Sequence, residues 1–472
     1  MTDRTEVLVI GGGPAGSTAA ALLARAGRDV LLLEREVFPR YHIGESLLPS
    51  CVPVLELSGA LERVRAEGFQ VKRGGLFRWA RDEWVIDWTR SGHPVGSAWH
   101  VDRARFDHLL LQNAAAQGAT VVQGATVQRV IFDADRPVAV EWIHQDVPDV
   151  VRTTALSFLI DASGRAGVLA AQHFQIRARH TTFDNVAVWG YWSGTRLLPG
   201  GPEGAINLIS APNGWYWGIP LAGFRLSLGF VMHTRAFQAD RPRFASLEAF
   251  YLDRVLRNES MRWMVENGIY IPGVRAEQDY SYIAARFCGP RHIIVGDAAC
   301  FLDPLLSTGV HLATYSAFVG AAAISSILHG DVPEPDALAF FEHSYRRAYC
   351  RLLVLISHLY QRYDGAQNYL WQAQRLHRPQ GRTPLASFAD ISAGLTDVRE
   401  AIDTGARILT DDLLMEAEAA QQASRQSRAF DLPGDDISPI WATWRADANG
   451  PDPLRDLYVV STPRLGLRRG TA

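Results

Sequence analysis

The stretch EVLVIGGGPAGSTAAALLARAGRDVLLLEREVFPRYHIGESLLP, residues 6–49, decides how the rest of the chain is read. Its apolar run Val7–Ile10 has the length of a buried parallel strand. Gly11, Gly13 and Gly16 follow in the spacing G-x-G-x-x-G, and an Ala/Leu-rich segment of helical character runs on to Gly27. A second apolar run, Val30–Leu33, ends in Glu34. Strand, glycine turn, helix, strand and acid in this order form a dinucleotide-binding fingerprint. Gly11 allows the tight turn, Gly13 lets a pyrophosphate approach the backbone, and Gly16 lets helix and strand pack closely. The helix N-terminus faces the phosphates, and Glu34 is placed to accept hydrogen bonds from an adenosine ribose. A lone G-x-G-x-x-G carries little, because glycine turns are common. The two strands and the acid at their proper spacing carry the assignment.

Beyond Glu34 the run continues with Phe38-Pro39-Arg40 and Ile43-Gly44-Glu45-Ser46-Leu47-Leu48-Pro49, which dinucleotide binding does not require. Two later segments stand out with it: Gly214-Trp215-Tyr216-Trp217-Gly218-Ile219-Pro220, and the FxDPxxSxG run from Phe301 to Gly309. Taken together, FPRxxIGESLLP, WxWxIP and FxDPxxSxG resemble the flavin-dependent halogenases. The likeness is to the branch acting on phenols and pyrroles, often tethered to carrier proteins, and it covers roughly residues 5–365. It implies an α/β fold: an FAD-binding Rossmann-type domain of the aromatic-hydroxylase/halogenase superfamily, with an inserted, mostly antiparallel β substrate domain and a helical C-terminal region. The corresponding boundaries are 1–182 and 286–330 for FAD binding, 183–285 for the β-rich domain and 331–472 for the helical region.

Composition bounds the rest. With 472 residues, 47% of them hydrophobic, the chain can bury a large core in two or three packed units. A net charge of −3 does not suggest a nucleic-acid partner. Cys51, Cys288, Cys300 and Cys350 are far apart and show neither metal spacing nor disulfide-scaffold density, which suits a reducing compartment. No signal peptide precedes the first strand, and the expected location is the cytoplasm. The longest apolar run, Val310–Leu328, is interrupted by His311, Thr314, Ser316, Ser325 and Ser326, and reads as a buried helix in preference to a membrane span.

Along the chain, 47–67 has helical periodicity, 74–79 and 84–88 read as a hairpin, and 101–107 leads into a helix ending near Gly118. Three β-rich segments between Ala119 and Ile160 close on Asp161. The aromatic-rich stretch 183–285, bounded by glycine and proline, reads as antiparallel sheet, and Ile293–Asp297 returns to a buried strand. Glu342–Tyr363 is amphipathic, 373–384 reads as loop, helices are expected near 393–408 and 411–426, and the last forty or so residues as coil with short elements.

The chemistry falls on a few residues. Asp297, in a Gly-Asp after a buried strand, fits a carboxylate accepting from FAD ribityl hydroxyls, although alone it would read as a capping acid. Ser307-Thr308-Gly309 opens the long apolar helix, whose first N–H groups lack helical partners and carry partial positive charge. The resemblance gives the halide site to the backbone of Thr308 and Gly309. It adds Pro14, Ala15, Arg35, Arg40, Ser46, Arg105, Asp161 and Gly309 at the cofactor, and makes Trp215, Trp217, Pro304 and Ser307 a wall between flavin and organic substrate. By strand geometry alone, Trp215 and Trp217 share one face and would be core.

Lys72, before a strand, would ordinarily be a solvated surface residue. The resemblance places it where halogenases handle the halogenating species. The implied route runs from FADH2 and O2 through a flavin C4a-hydroperoxide, then hypochlorous acid formed with chloride, to Lys72 and an electron-rich ring. It carries an expected separate NAD(P)H-dependent flavin reductase, a carrier protein presenting the substrate, and a place in secondary metabolism or antibiotic biosynthesis. Tryptophan halogenases have a Glu where this chain has Leu306, which leaves the general base unassigned. Asp87, Asp184, His100 and His311 are candidates by residue type. His343, Arg346, Arg347 and Arg351, three or four apart, share a helix face that reads first as a solvated basic surface and second as a site for an acidic carrier. The competing readings are an FAD-dependent aromatic monooxygenase and an inactive flavoprotein scaffold.

Overall fold

The computed structural model describes residues 3–79, 82–90, 95–212, 214–360, 384–403 and 456–470. Two eight-stranded sheets organise it. The first holds five parallel strands in the spatial order His292–Ile294, Val147–Asp161, Arg4–Ile10, Val30–Glu34, Thr120–Gln123. Chain order reverses direction across Arg4–Ile10, since the next strand in sequence lies on one side and a later one on the other. The C-terminal end of that strand is therefore the topological switch point, where open α/β sheets bind ligands. The G-x-G-x-x-G turn sits there and feeds the helix Pro14–Arg25, with Gly13 as N-cap and Pro14 at the first helical position. Four strands, not three, occupy 120–161: Thr120–Gln123, Ala125–Asp133, Arg136–His144 and Val147–Asp161.

The second sheet runs Cys300–Phe301, Ile269–Ala284, Arg177–Ser193, Arg225–His233, Gly214–Leu221, Ile206–Ala211, Gly74–Trp79, Asp82–Asp87. The hairpin 74–87 belongs to this sheet, paired in parallel through Gly74–Trp79 to Ile206–Ala211. The aromatic region is thus not a self-contained insertion at 183–285. It takes three strands from the stretches assigned to FAD binding, Gly74–Trp79, Asp82–Asp87 and Cys300–Phe301, and its own run begins at Arg177.

The helix Thr308–His329 lies in the core: it is the one helix among the described residues long and apolar enough to cross a membrane, and nearly all of its apolar window is buried by the rest of the protein. The helix Glu334–Tyr360 packs along it. Two short helices, Pro384–Ser392 and Leu395–Ile402, follow, and the latter stands where one was expected near 393–408. The helix expected near 411–426 and most of the 373–384 loop lie outside the described residues. Within the expected terminal coil, Leu457–Val460 and Gly466–Arg469 form a hairpin, held to the core helix by Ser325 Oγ donating to Leu465 O (2.6 Å) and Leu467 N donating to Ser326 Oγ (2.7 Å).

The basic face of the 334–360 helix is not a surface. His343, Arg346, Arg347 and Arg351 are all buried. Arg346 pairs with Glu342 and donates to Ala284 O (3.2 Å). Arg347 reaches Glu400 at 3.2 Å, and Arg351 holds both Glu400 (2.7 Å) and Asp397. The Leu395–Ile402 helix brings Asp397 and Glu400 down onto the arginines, so the face cannot receive a carrier protein. Burial alone would raise the Asp397 carboxyl; Arg351 and His311 hold it below its ordinary value.

Candidate active site

A cavity of about 940 Å³ opens at the switch point and runs between the two sheets. Gly11, Gly13, Pro14, Ala15, Glu34 and Arg35 form one end. Gly11 has φ +102°, and a Cβ on it would fall 2.4 Å from Ala162 O. Gly16 does not line the cavity; its role is the close helix–strand contact, since a Cβ there would stand 1.9 Å from Gly11 O. At Gly13 a Cβ would meet only Arg40, at 3.6 Å, so the space in front of it is open. Glu34 is buried and accepts from Gly12 N and Glu36 N (2.8 Å). An open glycine at a helix N-terminus, arginines beside it and a buried acid closing the second strand fit the pyrophosphate and ribose of FAD. Arg40, Ser46 and Asp297 line the middle of the cavity. Burial pushes the Asp297 carboxyl up, with Arg165, Arg103 and Arg177 pulling it back.

Two expected cofactor residues stand elsewhere. Arg105 turns outward to Glu67 (2.6 Å) and covers Phe69. Arg103, two positions earlier on the helix Arg103–Ala116, lines the cavity instead. It forks onto Asp107 (2.7 and 2.9 Å) and donates to Ile43 O (2.6 Å) and Gly44 O (3.2 Å), fixing the 43–46 segment. Asp161 is buried inside its own loop, accepting from Ser163 N (3.0 Å), Ser163 Oγ (2.5 Å) and Leu169 N (2.6 Å); its neighbours Ala162 and Ser163 line the cavity. Arg105→Ala should leave FAD affinity near wild type in a fluorescence-quenching titration, while Arg103→Ala should weaken it about tenfold or more, the cost of losing a charged hydrogen-bond donor.

The far end is walled by Trp189, Trp215, Trp217, Pro304, Ser307 and Gly309. Trp215 and Trp217 lie on one face of the strand Gly214–Leu221, their rings 5.9 Å apart. Trp189 comes from the strand Arg177–Ser193, 6.5 Å from Trp217. Between them in the sheet is Gly229, opposite both tryptophans in register. A Cβ on Gly229 would stand 2.4 Å from the Trp217 ring and 2.6 Å from Trp189, so glycine is what lets the two indoles seat side by side. Ser307 has φ +59° and turns the chain into the 308–329 helix. Thr308 itself is fully buried off the cavity, its hydroxyl unpartnered; the backbone of Gly309 is what reaches the wall.

Lys72 is buried, 2% exposed, in the strand Gln70–Lys72 behind Ser46. Its Nζ donates to Ser46 Oγ (2.8 Å) and Leu47 O (3.0 Å) and lies 4.9 Å from the Trp88 ring centre. Among the described residues no carboxylate pairs with it. Desolvation accordingly pulls its pKa down to about 7. Lys72 is thus one side chain behind the cavity wall, with Ser46 between.

The candidate bases do not meet at the cavity. Asp87 accepts from Thr89 Oγ1 (2.5 Å), and Asp184 from Thr234 Oγ1 (2.8 Å). His311 bridges Ser50 (2.8 Å) and Asp397 (2.9 Å), and His100 donates from Nε2 to Gly204 O (2.8 Å). None of the four lines it. What the sequence did not single out is Arg103, Trp189 and Gly229. The only signals for them were an Arg-x-Arg pair and isolated Trp and Gly in β-like runs.

Comparison with known proteins accords with this geometry. The family model described as tryptophan halogenase matches residues 6–97 and 85–404. A tryptophan 2-halogenase of Chondromyces crocatus is 40% identical over 413 residues, 86% of this chain and 78% of that protein. A flavin-dependent halogenase of Armillaria mellea, armH3, is 33% identical over 95% of this chain and 92% of its own length. Among solved structures, the myxobacterial chondrochloren halogenase CndH superposes with a TM-score of 0.73 at 32% identity, covering 89% of this chain and 97% of CndH. PqsL of Pseudomonas aeruginosa, a probable FAD-dependent monooxygenase, shares the fold at a TM-score of 0.60 and 19% identity.

Proposed function

Because the chain belongs to the flavin-dependent halogenase family, we propose that it chlorinates an electron-rich phenol or pyrrole, using FADH2, O2 and chloride. Bound in the cavity, FADH2 supplies with O2 the oxidising power that turns chloride into hypochlorous acid. The protein's part is to hold the flavin, to keep ring and flavin apart with Trp189, Trp215 and Trp217, and to deliver chlorine through Lys72. Gly309 and the first turn of the 308–329 helix offer N–H groups and partial positive charge for the halide.

The observation that carries the reading is the buried, carboxylate-free Lys72 joined to Ser46 of the cavity wall. Desolvation makes its neutral amine accessible near pH 7. The amine nitrogen attacks chlorine of hypochlorous acid: the N–Cl bond forms, the O–Cl bond breaks, and the departing hydroxide takes an amine proton to leave as water. The ring carbon then takes chlorine from nitrogen, and the ring proton restores the amine. An activated ring needs little further base, which suits the buried, apolar Leu306.

The substrate can be free or carrier-tethered, but a carrier would dock away from the buried 343–351 arginines. Flavin-dependent halogenases generally draw on a separate flavin reductase, and a reducing cytoplasm accords with cysteines that are all free thiols. The test supplies purified protein with a flavin reductase, NADH, O2 and either chloride or bromide. It offers phenols and pyrroles, free and carrier-bound, and free tryptophan, with products read by mass spectrometry. A chlorine isotope pattern on a phenol or pyrrole is expected. A hydroxylated ring would replace the proposal with a monooxygenase, and chlorination of tryptophan alone would replace the substrate class.

A further inference from the structure

The turn that leads into the 308–329 helix is tied to the tryptophan sheet by a buried pair of side chains. Asp303 is 2% exposed and Asn185 3%. Asp303 Oδ1 accepts from Leu305 N (3.0 Å) and so caps the short turn Pro304–Leu306; Oδ2 accepts from Asn185 Nδ2 (2.9 Å). Leu302 and Pro304, on either side of Asp303, line the cavity. Asn185 lies on the strand Arg177–Ser193, two residues before Ala187 and four before Trp189, which also line it. Side chains alternate along a strand, so Asn185 stands on the cavity face, in one row with Trp189.

What the pair holds in place is strained. Ser307 N donates to Pro304 O at 2.9 Å, and Ser307 sits at φ +59°, ψ +34°. A non-glycine residue in that left-handed region persists only where its surroundings over-determine it. Here the Asp303 carboxylate fixes the start of the turn, and the helix, buried in the core, fixes its end. A Cβ built on Gly309 would meet nothing within 4 Å, so the space before the first N–H groups of the helix is open. A halide held there must stand at one spacing from both the helix end and the indole sheet. The Asn185–Asp303 contact joins those two elements directly, through a hydrogen bond to a carboxylate, which is stronger than one between neutral groups.

We infer that Asn185 is a positioning residue for the halide: through Asp303 it sets the 304–309 turn against the strand that carries Trp189. Without the amide donor, a buried carboxylate oxygen loses its hydrogen bond, and the left-handed Ser307 loses part of what holds it. The turn then relaxes, and the N–H groups at its end no longer present one fixed place to an anion. Asn185 itself does not touch the halide, so its removal weakens halide binding without altering the flavin site.

The inference rests on the halide reading of Gly309, so its first test reads binding without turnover. Chloride NMR line broadening by protein loaded with oxidised FAD reports chloride exchanging on and off the site, and bromide competes it away. Asn185→Leu removes the donor at similar volume, and Asn185→Ala removes it without added bulk. Each should weaken chloride about tenfold, within what a small misplacement of positioned groups costs. Asn185→Asp should bind more weakly still, since it sets two carboxylates face to face. Adding Asp303→Asn to Asn185→Asp restores the hydrogen bond in the opposite sense, and asparagine caps a turn as well as aspartate does. The swapped pair should therefore regain most of the affinity. In turnover with a flavin reductase, NADH, O2 and a phenol, Asn185→Leu and Asn185→Ala should need about tenfold more chloride for half-maximal product, while product per FADH2 at saturating chloride stays near wild type. A purely structural role would instead lower yield at every chloride concentration, and that result would overturn the inference. So would unchanged chloride affinity in both single variants, or a swapped pair no better than Asn185→Asp. Wild-type protein that broadens no chloride line would overturn the halide site and this inference with it.

Discussion

Lys72→Ala is expected to oxidise FADH2 and consume O2 at the wild-type rate while yielding almost no chlorinated product. The loss should be about 10²- to 10⁴-fold, the range a positioned proton-transfer or nucleophilic group contributes. On the proposed route flavin chemistry and chloride oxidation belong to the cavity, whereas Lys72, which stands behind Ser46, would serve only delivery. Lys72→Arg should fail as well, because a guanidinium stays charged and does not readily form a chloramine. Lys72→Met is the control for packing, since it keeps the volume without the charge.

The pH sign separates delivery from stability. Only the neutral amine reacts, so wild-type yield should rise as pH rises through about 7. Folded Lys72 binds its proton less tightly than the unfolded chain does. Between about 7 and the ordinary lysine value of 10.5 the unfolded state holds more protons, and stability rises with pH. Lys72→Met should lack that slope and be the more stable protein near pH 7 in urea titrations. Near wild-type chlorination by Lys72→Ala would show that chlorine reaches the ring by another way.

Gly13→Val and Gly16→Val, three residues apart, should fail for different reasons. At Gly13 the added Cβ touches only the Arg40 side chain, so the variant should fold within about 0.5 kcal/mol of wild type, as most changes without a core clash do. It should nevertheless bind no FAD, because the side chain fills the approach to the pyrophosphate. At Gly16 the obstacle is backbone, Gly11 O at 1.9 Å, and no rotamer relieves it. That variant should lose about 3 kcal/mol or more, at the upper end of overpacking costs, and be recovered largely insoluble. Thermal melts with and without FAD distinguish the two. Normal FAD binding by Gly13→Val would remove the glycine turn from the cofactor site.

What the sequence disclosed follows from how far apart the cooperating residues are. The glycine turn, Glu34 and the WxWxIP strand are contiguous patterns, and their roles follow from local geometry. Arg103 and Arg105 are two apart on a helix and so point in very different directions, and nothing local says which faces the cavity. Trp189 and Gly229 matter only because separate strands bring them into register with Trp217. The basic face of the 334–360 helix misled because its acids, Asp397 and Glu400, arrive from a single helix some fifty residues later. Spacing three and four reveals a shared face, but whether water or protein covers that face depends on distant chain.

Those same acids bear on how this enzyme can be recombined with its relatives. The 384–402 segment resembles an exchangeable cassette, a tempting unit for building chimeras with altered substrate range. Yet Asp397 engages both Arg351 and His311, and Glu400 engages Arg347 and Arg351, all out of reach of water. A donor segment lacking Glu400 would break the Arg347 pair, and one lacking Asp397 would leave Arg351 with Glu400 alone and His311 without its acid; the cost is about 3–5 kcal/mol for a broken buried pair. The crossover must therefore lie upstream of Arg347, or the donor must carry both acids at the same places. Ser50 binds the other edge of His311, so the splice also inherits a constraint from the GESLLP end of the chain.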